Sequence, residues 1–281
     1  MGKKYVYRKH LRKPSIIIGS VMGFFILVYS CLAFAVLSSL ENKFDKTAVI
    51  IFISIGVFML IVISLENLIL YFALFRRFKR ISVELTDDSI IYNNLKGTTI
   101  IPYSDITNVR FPSIRYIGGW VKIIYGKKNI KLTVVLENIG DLITELREKL
   151  NELNKQDLYN NHRMFKFYKT SKYSDASWKR IYKYFKKMMI FIVCNFFVGF
   201  GIASLTHKDN AKFGLGFAGF MLPLIAYIIC EIILARKVSK KSDEASFYVP
   251  ESDEGFERKV FRNGSIIYSI IYLILAFLVV K

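Results

Sequence analysis

Two carboxylates stand inside apolar runs of this sequence, Glu66 and Glu231. An ionised carboxylate at the centre of a bilayer helix costs about 2.5–3.5 kcal/mol on insertion scales, so it must be protonated, paired or open to a wet cavity. Such groups carry protons or ions in transporters, or act as hydrogen-bond acceptors between helices. Glu66 lies ten residues before Arg76, about 15 Å along a helix, with Asn67 beside it. Glu231 is five residues from Arg236, about 7.5 Å, close enough to snorkel to the interface. Asn195, in a later apolar run, is the remaining polar candidate. Glu66, Asn67, Asn195 and Glu231 thus form the candidate intramembrane polar site.

Other chemistries lack their residues. The chain has no Gly-rich phosphate loop, no HExxH, no CxxC and no Gly-x-Ser-x-Gly elbow. His10, His162 and His207 are far apart in polar flanks, and Cys31, Cys194 and Cys230 are isolated in apolar runs. Neither set has the spacing of a metal site or a disulfide framework. No catalytic residue, cofactor or metal is expected, and the chain reads as a non-enzyme.

Charge and hydropathy define the class. The 281 residues are 53% hydrophobic with mean hydropathy +0.34 and net charge +19. The basic residues cluster between apolar runs, which points to anionic lipid headgroups and not to nucleic acid. Two clusters are candidate headgroup contacts: Arg76, Arg77, Lys79 and Arg80, and then Lys179, Arg180, Lys183, Lys186 and Lys187.

The elements that position these residues are mostly membrane helices. Residues 1–13 read as a basic cytoplasmic N-terminus, 14–75 as a transmembrane hairpin and 76–155 as a soluble domain. Residues 156–187 read as a basic aromatic juxtamembrane segment, with Trp178, Ile181, Tyr182, Phe185 and Met189 on one helical stripe. A second hairpin follows over 188–235, then a poorly structured cytoplasmic linker over 236–262 and a last transmembrane helix over 263–281. Gly19 and Gly23 have GxxxG spacing, and Gly214, Gly216 and Gly219 would allow helices to approach closely. With five spans and the N-terminus inside, all but five of the 41 Lys and Arg lie in the cytoplasm; the five are Lys43, Lys46, Lys208, Lys212 and Lys281. That asymmetry puts the C-terminus outside.

The soluble stretch alternates strand and turn patterns. Ile81, Val83 and Leu85 have period two, and Thr86-Asp87-Asp88-Ser89 and Asn93 to Gly97 are turn sequences. Pro102 ends a β-branched run, and a hairpin is expected around Gly126 to Asn129. Ile139, Leu142, Ile143, Leu146, Leu150 and Leu153 then fall on one helical face, with Asn138 as N-cap. This strand order, Ile101-Pro102-Tyr103-Ser104-Asp105-Ile106 with Val109, Gly118-Gly119-Trp120 and the closing helix resemble the pleckstrin-homology-like domain of bacterial multi-pass membrane proteins. The resemblance covers about a quarter of the chain and implies a bent antiparallel sheet closed by its C-terminal helix. Phosphoinositide-binding relatives carry basic residues at the first hairpin loop; here Asp87 and Asp88 occupy it, so that activity does not carry over.

The expected fold class is therefore an α-helical membrane protein of about five spans with an inserted cytoplasmic α+β domain. Residues 78–155 are expected to fold alone. The expected role is a binding or scaffold component at the cytoplasmic membrane face, partnered by anionic lipid and by a membrane protein or a second copy. The alternative is a small transporter or lipid-handling protein working through Glu66.

Overall fold

The computed structural model describes residues 3–39, 46–114, 118–204 and 209–280. Its helices are α1 Lys9–Arg12, α2 Ser15–Ser39, α3 Lys46–Leu70, α4 Arg76–Arg80, α5 Ile139–Glu152, α6 Asn161–Ser204, α7 Asp209–Lys241 and α8 Glu254–Val280. A π-helical turn, Tyr71–Phe75, joins α3 to α4. Three helical stretches among the described residues are long and apolar enough to cross a membrane: Lys46–Arg80, Gly214–Lys241 and Glu254–Val279.

The strands form two small antiparallel sheets. The first has the order β1 Lys4–Val6, β2 Ser82–Leu85, β3 Ser89–Asn94 and β4 Gly97–Pro102. In the second, β7 Gly118–Tyr125 lies between β5 Ile106–Arg110 and β8 Lys128–Thr133, and the short β6 Ser113–Ile114 also pairs with it. Alternation decides which face is buried: Val83, Ile90, Val121, Ile123 and Leu132 are fully enclosed, and the residue that follows each of them is more exposed. Thr86 Oγ1 accepts from the Ser89 amide at 3.1 Å and fixes the β2–β3 turn. Gly126, at φ 49°, makes the tight β7–β8 hairpin. Gly119 has no room for a Cβ, because the Pro112 carbonyl sits over it.

Helix α5 closes the core, with Ile139, Leu142, Ile143, Leu146 and Leu150 all fully buried. The stripe ends there, since Leu153 is 49% exposed beyond the helix end. Asn138 precedes the helix in the left-handed region, at φ 54°, and its side chain makes no capping bond. Its amide instead donates to Asp175 Oδ1 at 3.3 Å.

Three segments depart from expectation because each supplies core to the module. The N-terminal stretch is not a free basic tail. Tyr5 and Tyr7, each 2% exposed, alternate with basic neighbours, and Lys4–Val6 pairs with β2. The juxtamembrane segment is not a separate surface helix. It is the first half of the unbroken α6, and Met164, Phe165, Phe167 and Tyr168 sit in the module core. The 236–262 linker is structured: α7 runs on to Lys241, Asp243 bridges to Tyr248, Phe247 and Val249 are buried, and α8 starts at Glu254. Few apolar residues mark it in sequence, yet Phe247 stacks on Tyr168 with centroids 4.9 Å apart. Gly19 and Gly23 have open space around them, whereas a Cβ at Gly219 would lie 2.7 Å from the Asn195 carbonyl oxygen.

Buried polar contacts lock these segments. Arg8 Nη2 donates to Asp175 Oδ1 at 2.5 Å, tying the N-terminal arm to α6. His10 stacks on Trp178 at 4.1 Å, and its Nδ1 lies 2.6 Å from the Tyr182 hydroxyl.

Because β1, α6 and the 247–249 segment complete the core, residues 78–155 expressed alone should fail to fold. Circular dichroism should show no cooperative melting, and a sharp transition for that fragment would refute the shared core. A second expectation concerns acid. Burial, reinforced by the Arg8 charge, lowers the His10 pKa from 6.5 to about 4. Between these values the unfolded chain binds the extra proton, so stability is complete above 6.5 and falls as pH drops toward 4. Melting of the purified protein across that window should show the decline, and His10→Phe, which keeps the stack, should flatten its upper part.

Candidate functional site

Where the module meets the apolar helices, Arg180 of α6 reaches across to α7 and α8. Its Nε and Nη2 grip both oxygens of Glu231, at 2.9 and 2.7 Å, in a bidentate fork. Nη1 donates to Glu257 of α8. The Tyr173 hydroxyl, one face of α6 further back, is 2.5 Å from Glu231 Oε2 and 2.6 Å from its carbonyl oxygen, and donates to one of them. Arg180 is 5% exposed, so the triad is largely out of water.

The electrostatics follow from that burial. Desolvation alone would lower the Arg180 pKa; the hydrogen bonds and charge of Glu231, with Glu257 behind, outweigh it and hold the guanidinium charged. Burial and the same carboxylate raise the Tyr173 hydroxyl far above its ordinary value, so it remains a donor. Two carboxylates around one guanidinium engage all three of its nitrogens. The arrangement is a clamp on three helices.

Two cavities flank the clamp and share Lys179, Arg180 and Glu257 in their walls. One, about 530 Å³, lies between α6, α7 and α8; Pro223, Ala226, Phe261 and Tyr268 give it an apolar wall, and Lys179, Lys183, Arg258 and Arg262 a basic rim. The other, about 550 Å³, lies toward the module and is the more polar of the two, with Asp141, Lys172, Lys237 and Glu251 in its lining. Deeper in the bundle the Tyr272 hydroxyl reaches the Asn195 and Leu215 carbonyls, both at 3.4 Å.

The four residues of the expected intramembrane site do not converge. Glu66 is exposed on α3. Asn67 donates to the Ile63 carbonyl of its own helix at 2.9 Å. Asn195 meets Tyr272 through its backbone oxygen. Among the described residues no hydrogen bond links these groups, and Glu231 has its partner in Arg180 and not in Arg236. The expected headgroup contacts also divide. Arg76, Arg77, Lys79, Arg80, Lys179 and Lys183 are exposed, whereas Arg180 is buried in the clamp; the side chains of Lys186 and Lys187 lie outside the described residues. Sequence reasoning missed Glu257 because it sits in a mixed-charge stretch. The signal available was Tyr173 and Arg180, two helical turns apart on one face. Among the described residues no group of three His, Cys, Asp or Glu is placed to hold a metal ion.

No family model, curated protein or solved structure matches this chain.

Arg180→Ala leaves two largely buried carboxylates without their cation and should destabilise the protein by about 3–5 kcal/mol. Thermal melting in detergent should show a large drop for Arg180→Ala and a smaller one for Arg180→Lys. Adding Glu231→Gln and Glu257→Gln to Arg180→Ala should recover part of the loss. An unchanged melting temperature for Arg180→Ala would remove the clamp.

Proposed function

We propose that this protein is a membrane scaffold that presents its α/β module at the cytoplasmic face as a binding component of a membrane complex. One observation carries the reading: the module's core draws on four chain segments, namely Tyr5 and Tyr7, residues 81–150, Met164 to Tyr168, and Phe247 with Val249, with α2 and α3 intervening after the first and the rest of α6 with α7 before the last. A module built this way cannot swing on a tether. It holds whatever it binds at a fixed height and orientation over the bilayer.

The same core supports five spans through parity. Pairing of β1 with β2 requires that both ends of the α2–α3 hairpin emerge on one side, so if α3 crosses, α2 crosses too. Residues 164–168 and 247–249 share the module core, so if α7 crosses, α6 also does. Helix α8 then crosses alone and leaves the C-terminus on the opposite side. Positive-inside charge favours the module in the cytoplasm. The run of small antiparallel strands closed by α5 agrees with a pleckstrin-homology-like module, with β1 and α6 as additions to it.

A partner in the membrane suits α3, whose apolar surface is almost wholly exposed, including Leu65 at 55% and Ile69 at 59%. Glu66 lies on this surface, so its polar partner comes from another helix or a second copy. This favours assembly over a transport path within one chain.

Two measurements test the reading. On a background without Cys31, Cys194 and Cys230, an impermeant thiol reagent applied to intact cells should miss Lys127→Cys and Ser242→Cys. A photoreactive side chain in place of Leu65 or Ile69 should yield a discrete protein adduct in native membranes. Labelling at 242 would break the topology, and lipid adducts alone would remove the assembly on α3.

A further inference from the structure

The cavity between α6, α7 and α8 is unlike a gap left by imperfect packing, because its two ends differ in chemistry. On α8 the lining residues run from a charged end, Glu254 and Glu257 followed by Arg258 and Arg262, to Tyr268 at the other. That is ten residues from Arg258 to Tyr268, about 15 Å, roughly half the hydrocarbon thickness of a bilayer. On α7 the lining residues Pro223, Ala226, Tyr227 and Cys230 share one helical face, and on α6 Lys179 and Lys183 stand one turn apart.

The basic rim is uncompensated. Arg8, Lys172, Arg180 and Lys237 each have a carboxylate within ion-pair distance, whereas Lys179, Lys183, Arg258 and Arg262 have none among the described residues. Of the acids in the same wall, Glu257 is engaged by Arg180, leaving Glu254 at the outer end. Four cations against one free carboxylate make the rim an anion site, and the wall beside it is apolar. A soluble anion uses only the first of these features; an amphiphile uses both.

Resting on the scaffold reading above, we propose that this cavity holds one anionic phospholipid. Its phosphate lies among Lys179, Lys183, Arg258 and Arg262, and an acyl chain lies along Pro223, Ala226, Phe261 and Tyr268. The lipid completes the helix bundle beside the clamp, so the bilayer's anionic fraction is read by the same three helices that fix the module.

The test is retention of lipid by the full-length protein in neutral detergent, followed by native mass spectrometry after incubation with phosphatidylglycerol, phosphatidylcholine or inorganic phosphate. One phosphatidylglycerol should stay bound per chain, at least tenfold in preference to phosphatidylcholine. Lys183→Gln with Arg262→Gln should cut that retention at least tenfold, and Ala226→Trp, which fills the apolar wall without touching charge, should do the same. Lys127→Gln with Lys128→Gln, which removes exposed charge at the β7–β8 turn of the module, should leave it unchanged. Melting curves of each variant establish that it is folded, and Ala226→Trp serves if the charge variant is not. Equal retention of phosphatidylcholine, unaltered retention in both cavity variants, or displacement of phosphatidylglycerol by millimolar phosphate would overturn the site. Retention is read on purified protein, so it fails or succeeds separately from the cell labelling and crosslinking that test the scaffold.

Discussion

Met164, Phe165, Phe167 and Tyr168 must leave water, and they sit on the same unbroken helix that later packs against α7 and α8. One rod therefore serves two cores. A helix without an internal Pro or Gly break over residues 161–198 does not bend cheaply, so the two cores are held in one frame. The buried contacts along α6 follow from this. Asp175 receives Arg8 from the N-terminal arm, and Arg180 receives Glu231 and Glu257 from the helices beyond. Each ion pair is enclosed because the helix has brought its residue into a crowded junction, and each charge there has its counter-charge, since an unpaired buried charge would cost several kcal/mol.

The clamp is better understood as a device for specificity than as a large source of stability. Desolvating a guanidinium and two carboxylates offsets much of their mutual attraction. What the geometry does supply is selectivity: a two-pronged fork accepts α7 at one rotation about its axis only.

Local patterns were legible in the sequence, and long-range ones were not. The strands over 81–134 and the stripe from Ile139 to Leu150 follow from period and turn residues, which are properties of neighbours in the chain. Tyr5 and Tyr7 have the same period-two signature, but Lys3, Lys4, Arg8 and Lys9 around them read as a membrane flank. Phe247 and Val249 are two apolar residues in a polar stretch, and nothing local says that Tyr168 awaits one of them. The candidate site divided in the same way. Glu231 was expected to snorkel toward the interface beside Arg236, whereas its partner, Arg180, is 51 residues away on another helix. Glu66 was chosen by the same depth argument, and within this chain α3 presents it outward.

The pairing of Lys4–Val6 with β2 also governs how the protein is made. The first strand leaves the ribosome long before its neighbour, with the whole α2–α3 hairpin between them. Closing so long a loop costs only slightly more than closing a shorter one, since the entropy grows with the logarithm of length. The constraint is one of order: β1 stays single until the hairpin has passed and β2 appears, and the core stays open until α6 and then Phe247 arrive. A chain whose hairpin stalls part-way presents an unpaired strand bearing Tyr5 and Tyr7, which is the form that quality-control proteases recognise and that neighbouring edges can capture.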